Sequence, residues 1–343
     1  MISIAILLVV SIINVAFVSM SANTLRNKVK DIKEANKPAE IEIFVIKTDC
    51  INCFDISPVV DSVKSKNVKI LKEETLSKDS NFIQKYNIKK LPSIVILGKI
   101  DKLNLNGFEK VDNALVFKDV KAPYLDIGSN EVKGKVEVIK ILDSSCDKCA
   151  DMSLVIDNLK DEGVFISSLK NVEYNSAEGN DLIDNFGIKK VPALLISEEI
   201  DYYETIKQGL SQLNSVKKNK FYSMPSIIPP YRDLTSNKIE GLVDLIMLKD
   251  NTCTSCYDVQ VNKQILLRFG MEINSEKLED INSAKGKEII SRYNIKKVPI
   301  IILSPEAGVY DSFVKAWQDV GTKETDGWFV MRKPEVIGNV KNL

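Results

Sequence analysis

The stretch VEVIKILDSSCDKC at residues 136–149, together with DNFGIKKVPALLI at residues 184–196, decides the reading of this chain. A short apolar strand, Val136 to Leu142, runs straight into Cys146 and Cys149. Beyond the cysteines, Met152, Val155, Ile156 and Leu159 are spaced i, i+3, i+4, i+7, the apolar stripe of a helix. A second strand is expected near Val164 to Ser168, then a second helix ending at Phe186. Ile188-Lys189-Lys190-Val191-Pro192 then opens a third strand, Ala193 to Ile196. Strand, helix, strand, helix and strand joined by short links imply an α/β fold whose sheet starts parallel, with helices on both faces.

The unit recurs. At a constant offset of 107 residues Pro123-Tyr124 matches Pro230-Tyr231, Cys146 matches Cys253, Pro192 matches Pro299, Tyr203 matches Tyr310 and Met224 matches Met331. An ungapped match over a whole unit marks a tandem duplication. In the later copy the strand Leu242 to Leu248, the stripe Val261, Ile265 and Phe269, the strand Met271 to Lys277, a helix ending at Tyr293 and the strand Ile300 to Leu303 fill the same places. An earlier, more divergent copy has a strand Ile41 to Ile46, the pair Cys50 and Cys53, the stripe Ile56, Val59, Val60 and Val63, a strand from Val68, and a helix ending at Tyr86. Ile88-Lys89-Lys90-Leu91-Pro92 and the strand Ile94 to Leu97 complete it. After that proline Lys102 to Gly107 reads as a strand and Val111 to Lys118 as a closing helix. Proline continues neither a helix nor a strand, so Ala122-Pro123-Tyr124 and Pro229-Pro230-Tyr231 read as seams. The expected domains are therefore 41–122, 123–229 and 230–343, after a hydrophobic segment 1–22 and a charged connector 23–40. The Lys-Lys pairs read as solvated loop residues and the Pro-Tyr pairs as anchors of linker to domain. The duplicated tail Tyr310 to Met331, with Trp317 and Trp328, reads as a helical stretch and an aromatic strand packed on the sheet.

The chain has 343 residues, with Lys plus Arg and Asp plus Glu balanced at 47 each, so no global field attracts nucleic acid. It has no histidine, which removes Ser-His-Asp and Cys-His catalysis and histidine metal sites. All six cysteines fall in the three C-x-x-C pairs. Ile2 to Met20 carries no charge and, as a helix, spans roughly 28 Å, about one bilayer core. It reads as a single-pass membrane anchor or a signal segment. Arg26, Lys28, Lys30 and Lys33 after it favour a cytoplasmic bulk, whereas complete pairing of cysteines favours an extracytoplasmic one. The expectation is extracytoplasmic.

In the sequence reading, a C-x-x-C between a buried strand and the first turn of a helix places its first thiol at free backbone N–H groups and the positive end of the dipole. The second thiol then resolves a mixed disulfide. With the proline segment downstream of each pair, each repeat resembles a thioredoxin-fold domain, and the plan of three tandem domains is similar to protein disulfide isomerases. The resemblance rests on Cys50-Ile51-Asn52-Cys53, Cys146-Asp147-Lys148-Cys149, Cys253-Thr254-Ser255-Cys256 and the aromatic-x-Ile-Lys-Lys-(Leu or Val)-Pro segments. Pro58 matches the family's helix-kinking proline. The resemblance implies a central mixed sheet flanked by helices in each domain, Cys50, Cys146 and Cys253 as nucleophiles, and Cys53, Cys149 and Cys256 as resolving thiols. It implies cis Pro92, Pro192 and Pro299, with Leu91, Val191 and Val298 offering backbone groups to an extended peptide. Protein or peptide cysteines are the implied substrates, with a membrane electron-transfer partner, and neither cofactor nor metal is expected. The family's buried carboxylate six residues before the first cysteine is absent; Phe44, Lys140 and Met247 stand there. Lys140 reads as an outward-facing strand lysine, and Asp49 and Asp147 as either opponents of a thiolate or helix caps. A non-catalytic scaffold with structural disulfides is the alternative. Zinc held by four thiolates fits poorly, since each pair is already accounted for by a strand-helix junction.

Overall fold

The computed structural model describes residues 24–30, 33, 36–212, 215–225 and 228–343. The apolar run 2–20 lies outside these residues, and among the described residues no helix is long and apolar enough to cross a membrane. The chain divides into two compact units, Met1–Lys133 and Gly134–Leu343.

In the first unit β1 (Ala39–Ile46) alternates at its start, where Glu40 and Glu42 are half-buried, and is apolar and buried on both faces from Ile43 to Ile46. Ile41, Ile43 and Val45 pack with Val60 and Val63 of the helix Ser57–Lys64, while Phe44 and Ile46 pack with Ile83 and Tyr86 on the other side. β2 (Val68–Leu76) pairs parallel with β1, and the helix Ser57–Lys64 is the crossover that a parallel pair requires. A two-residue strand β3 (Lys90–Leu91) precedes Pro92. β4 (Ser93–Gly98), β5 (Phe108–Val111) and β6 (Ala114–Phe117) complete a sheet of order β2-β1-β4-β6-β5, antiparallel after the first pair.

Two sequence expectations fail here. Residues 102–107 form no strand; a single 3-10 turn, Ile100–Lys102, takes up the chain. The helix expected over Val111 to Lys118 is the β5–β6 hairpin instead. Asp112 adopts φ 50°, which Asp tolerates in a tight turn, and Ala114, Leu115, Val116 and Phe117 are all buried in the sheet. A run buried on both faces carries no helical period to read.

The seam after the first domain also moves. β7 (Tyr124–Asp126) and β8 (Glu131–Lys133) form a hairpin whose first strand pairs with β3. Leu125 is buried among the residues around Tyr86 and Tyr124 among those around Val60. The segment beyond Pro123 thus folds with the preceding domain, and the unit ends at Lys133 rather than 122.

The second unit repeats the plan twice. β9 (Val136–Leu142), β10 (Ile166–Glu173), β12 (Ala193–Ser197), β13 (Val216–Lys218) and β14 (Phe221–Pro225) supply a sheet of order β10-β9-β12-β14-β13, and the short β11 (Lys190–Val191) stands outside it. The hairpin of β15 (Tyr231–Asp233) and β16 (Lys238–Glu240) pairs with β11. β17 (Leu242–Lys249), β18 (Glu272–Asp280), β20 (Ile300–Leu303), β21 (Gly321–Lys323) and β22 (Phe329–Met331) follow, in the sheet order β18-β17-β20-β22-β21, with the short β19 (Lys297–Val298) outside it. β23 (Lys341–Asn342) pairs with β19. The chain is thus three tandem thioredoxin-like domains of mixed sheet and flanking helices.

The duplication extends to side-chain contacts. Tyr203 Oη donates to Gly134 O at 2.7 Å and accepts from Phe165 N–H at 3.0 Å. Tyr310 Oη does the same with Gly241 O at 2.6 Å and Glu272 N–H at 3.0 Å. Ser176 and Ser283 cap their helices by accepting from Gly179 and Gly286 N–H, at 2.9 and 2.8 Å. Both glycines are required by close approach: a Cβ would come within 2.0 Å of Glu173 O or Asp280 O.

Candidate thiol-disulfide site

Each cysteine pair lies in the loop after β1, β9 or β17, the strand next to the parallel edge of its sheet. All three pairs are disulfides, with Cα–Cα separations of 5.6, 5.4 and 5.6 Å for Cys50–Cys53, Cys146–Cys149 and Cys253–Cys256. All six residues are half-buried. Cys146 N–H donates to Asp143 O and Cys253 N–H to Asp250 O, each at 3.1 Å.

The helices do not begin at the cysteines. They start at Ser57, Ser153 and Val261, beyond the second cysteine of each pair. Asp55, Asp151 and Asp258 hold the delay: their carboxylates accept the N–H groups of Ser57 (2.9 Å), Ser153 (2.9 Å) and Gln260 (3.0 Å). Such Asx turns hold the chain out of the helix for a few residues. The expected seat of the first cysteine at a helix N-terminus is corrected accordingly, since the dipole acts within about one turn of the helix end. Pro58 falls in the first helical turn, where its missing N–H costs nothing, and is not a kink. The Asp two residues after each pair was legible in the sequence.

The residues six before the first cysteine serve other ends. Phe44 and Met247 are core. Lys140 Nζ lies 2.6 Å from Asp151 Oδ1 and 3.2 Å from Ser153 Oγ, and its hydrogen bond, with those from Ser153, holds the Asp151 carboxyl down to about 2. Lys140 therefore braces the helix start. Asp49 is exposed and 3.8 Å from Lys78, and Asp147 is exposed; neither caps a helix.

Pro92, Pro192 and Pro299 follow cis peptide bonds, and so do Pro123 and Pro230. The pre-proline residues are not open. Leu91 pairs with Leu125, Val191 with Arg232 and Val298 with Lys341. Lys89, Lys189 and Lys296 carbonyls accept from Ile127, Leu234 and Leu343 N–H at 2.9, 2.8 and 2.9 Å, which by antiparallel alternation makes each pre-proline residue a hydrogen-bonded partner. The same segments reach the cysteine loops: Phe54, Ala150 and Tyr257 N–H, each the residue after a pair, donate to Pro123, Pro230 and Asn339 O at 2.7, 2.8 and 2.9 Å. In every domain a segment of the chain bridges the cysteine loop and the pre-proline edge.

Two ion pairs fasten these segments. The Asp143 side chain, 1% exposed, lies three residues before Cys146; Arg232 Nε is 2.7 Å from its Oδ2, and Ser145 N–H and Oγ reach its Oδ1 at 3.0 and 2.5 Å. Burial pushes this carboxyl up, but the hydrogen bonds of Ser145 and Arg232 outweigh it and hold it below the usual range. Arg232 also donates to Ser145 Oγ at 3.1 Å. Asp250, three residues before Cys253, is paired by Lys341 and accepts from Thr252 N–H and Oγ1 at 2.8 and 2.7 Å. Lys341 first, then Thr252, hold it down to about 2. In the first domain Lys47 and Leu125 occupy the two positions. Sequence reasoning missed these pairs, whose partners stand far apart in the chain.

The second lysine of each motif is not merely solvated. Lys90 Nζ lies 4.4 Å over the Tyr124 ring and Lys190 Nζ 4.0 Å over that of Tyr231, to whose hydroxyl it also donates at 2.7 Å. Lys297 pairs with Glu335 at 2.8 Å. Within the second unit Lys148, between Cys146 and Cys149, donates to Ile273 O at 2.9 Å and lies 3.5 Å from Glu272. Tyr257 Oη donates to Pro299 O and accepts from buried Asn262 Nδ2, both at 3.1 Å. Among the described residues no group of three or more acidic or cysteine side chains is arranged to hold a metal ion.

No protein-family model matches the chain, and no curated protein does. Solved structures with some likeness include a protein disulfide oxidoreductase from Aeropyrum pernix, 14% identical over 52% of this chain and 92% of that one, at a TM-score of 0.16. Human ERp44 is 10% identical over 90% of this chain and 96% of its own, also at 0.16. An N-terminal domain of alkylhydroperoxide reductase AhpF from Enterococcus faecalis is 13% identical over 49% and 81%, at 0.14. Scores this low carry no argument about function. Strand order and pairing identify the architecture: three thioredoxin-like sheets, each with a C-x-x-C disulfide in the loop after its first strand in the chain, β1, β9 or β17.

Proposed function

We propose that the chain exchanges dithiol for disulfide with cysteine-containing proteins or peptides. The observation that carries this reading is the recurrence, three times, of a half-buried C-x-x-C disulfide after the strand that opens a thioredoxin-like sheet, β1, β9 or β17. In the oxidising direction a substrate thiolate attacks the sulfur of Cys50, Cys146 or Cys253, and Cys53, Cys149 or Cys256 leaves as thiolate. A second substrate thiolate then attacks the substrate sulfur of the mixed disulfide. The first cysteine departs, the substrate disulfide forms, and two electrons and two protons rest on the C-x-x-C pair. The reducing direction is the reverse. With no histidine in the chain, protons move through solvent and the loop groups. The uncharged run 2–20 supports a membrane-tethered or exported protein, and the complete pairing of the cysteines supports thiol sites outside the cytoplasm.

A second reading, a scaffold with locked disulfides, draws support from the occupied pre-proline edges and the delayed helices. Chains that retain one pair each, titrated in glutathione buffers with thiol trapping, separate the two. Exchange predicts at least one pair that is reduced well above about −300 mV and that accelerates disulfide reduction or oxidative refolding. Resistance of all three pairs, with no acceleration, overturns the exchange reading.

A further inference from the structure

We propose that segments 123–126, 230–233 and 339–343 are straps that occupy the peptide-docking edge and gate each cysteine pair against extended protein substrates. The proposal rests on the exchange reading above. The first two straps are near-copies, Pro-Tyr-Leu-Asp and Pro-Tyr-Arg-Asp, but the third, Asn-Val-Lys-Asn-Leu, matches neither over residues 339–342 and still takes the same main-chain bonds in the same register. Indifference to side chains is the mark of strand addition to an open edge, the mode by which an extended peptide would bind there. A peptide could replace the strap's backbone bonds one for one, so what it must overcome is the fastening.

At the second and third sites the fastening is one cation, Arg232 or Lys341, placed opposite the pre-proline residue and reaching a buried carboxylate three residues before the first cysteine. Peeling the strap away leaves that carboxylate buried without its partner, a costly state. At the first site Leu125, buried in the core, does this work without charge. The seating is close: a Cβ on Gly338, the residue just before the third strap, would stand 2.8 Å from Tyr257 Cβ, beside Cys256.

The test uses the full chain with Cys253–Cys256 as its one remaining pair. It compares the parent with Lys341→Met and with a chain ending at Gly338, which answers the question if the substitution fails to fold. Exchange is measured with dithiothreitol and with a disulfide-bonded extended peptide. Peptide exchange is expected to rise about tenfold or more once the edge is freed, while exchange with dithiothreitol stays constant. Faster amide hydrogen exchange at Val298 and Tyr257 should accompany it. An unchanged or slower peptide rate, with dithiothreitol exchange intact, overturns the gate alone. Absence of exchange with either reagent in the parent overturns the exchange reading, and the gate with it.

Discussion

At the scale of single residues, the carboxylates around the cysteine loops set a pH dependence with a definite sign. Asp250 titrates near 2 in the folded chain, against about 3.9 when unfolded, because Lys341 and Thr252 favour its charged form. Its contribution to stability is therefore complete above about pH 4 and is lost as pH falls toward 2. Denaturant unfolding of the chain should show a loss over that range that is smaller in Asp250→Asn; equal losses would remove Lys341 as the cause. Gly179 and Gly286 give a second prediction. Alanine in a helix ordinarily stabilises by about 1 kcal/mol relative to glycine, but here its Cβ meets a carbonyl at 2.0 Å, so Gly286→Ala should destabilise by about 2 kcal/mol in urea titrations. Residues of this kind were half legible. The 107-residue offset exposed matched pairs such as Tyr203 and Tyr310, yet nothing in the linear order joins Asp143 to Arg232, because folding alone makes them neighbours.

Elements show a different limit. Strands that feed the cysteine loops and the helices that cross over from them were readable from apolar runs and stripes, since burial on two faces or on one leaves distinct periods. The hairpin Phe108–Phe117 was not, because Ala114 to Phe117 is buried throughout and its turn depends on Asp112. The delayed helix starts trace to a single Asp after each pair. Tyrosines 203 and 310 tie the start of a sheet to the chain beyond the crossover helix, and both hydrogen bonds of each are directed at backbone. Removing the hydroxyl in Tyr310→Phe leaves Gly241 O and Glu272 N–H unmatched and should cost about 1–3 kcal/mol, read from the urea midpoint. A neutral result would mean that water replaces the hydroxyl. Lys148→Ala, which frees the dipeptide between Cys146 and Cys149 from Ile273 and Glu272, should speed alkylation of reduced Cys146; no change would show that this contact does not shield the thiol.

For the molecule as a whole, the repeats gave the number of domains, whereas the prolines marked chemical breaks without telling on which side the next residues pack. Tyr124 and Leu125 bury against the domain before them. A fragment of residues 36–133 should therefore unfold cooperatively at a higher urea midpoint than 36–122; equal midpoints would return the seam to Pro123.

The strap arrangement also means that the repeat in sequence and the repeat in space are out of phase. Each copied stretch opens with a strand that completes the fold before it, and borrows its own last strand from what comes next. An inserted extra copy of residues 123–229 would find an edge waiting at its front and supply one at its back, so the array could lengthen without redesigning any domain. Residues 339–343 fill the same edge in the third domain, although no copied stretch supplies them.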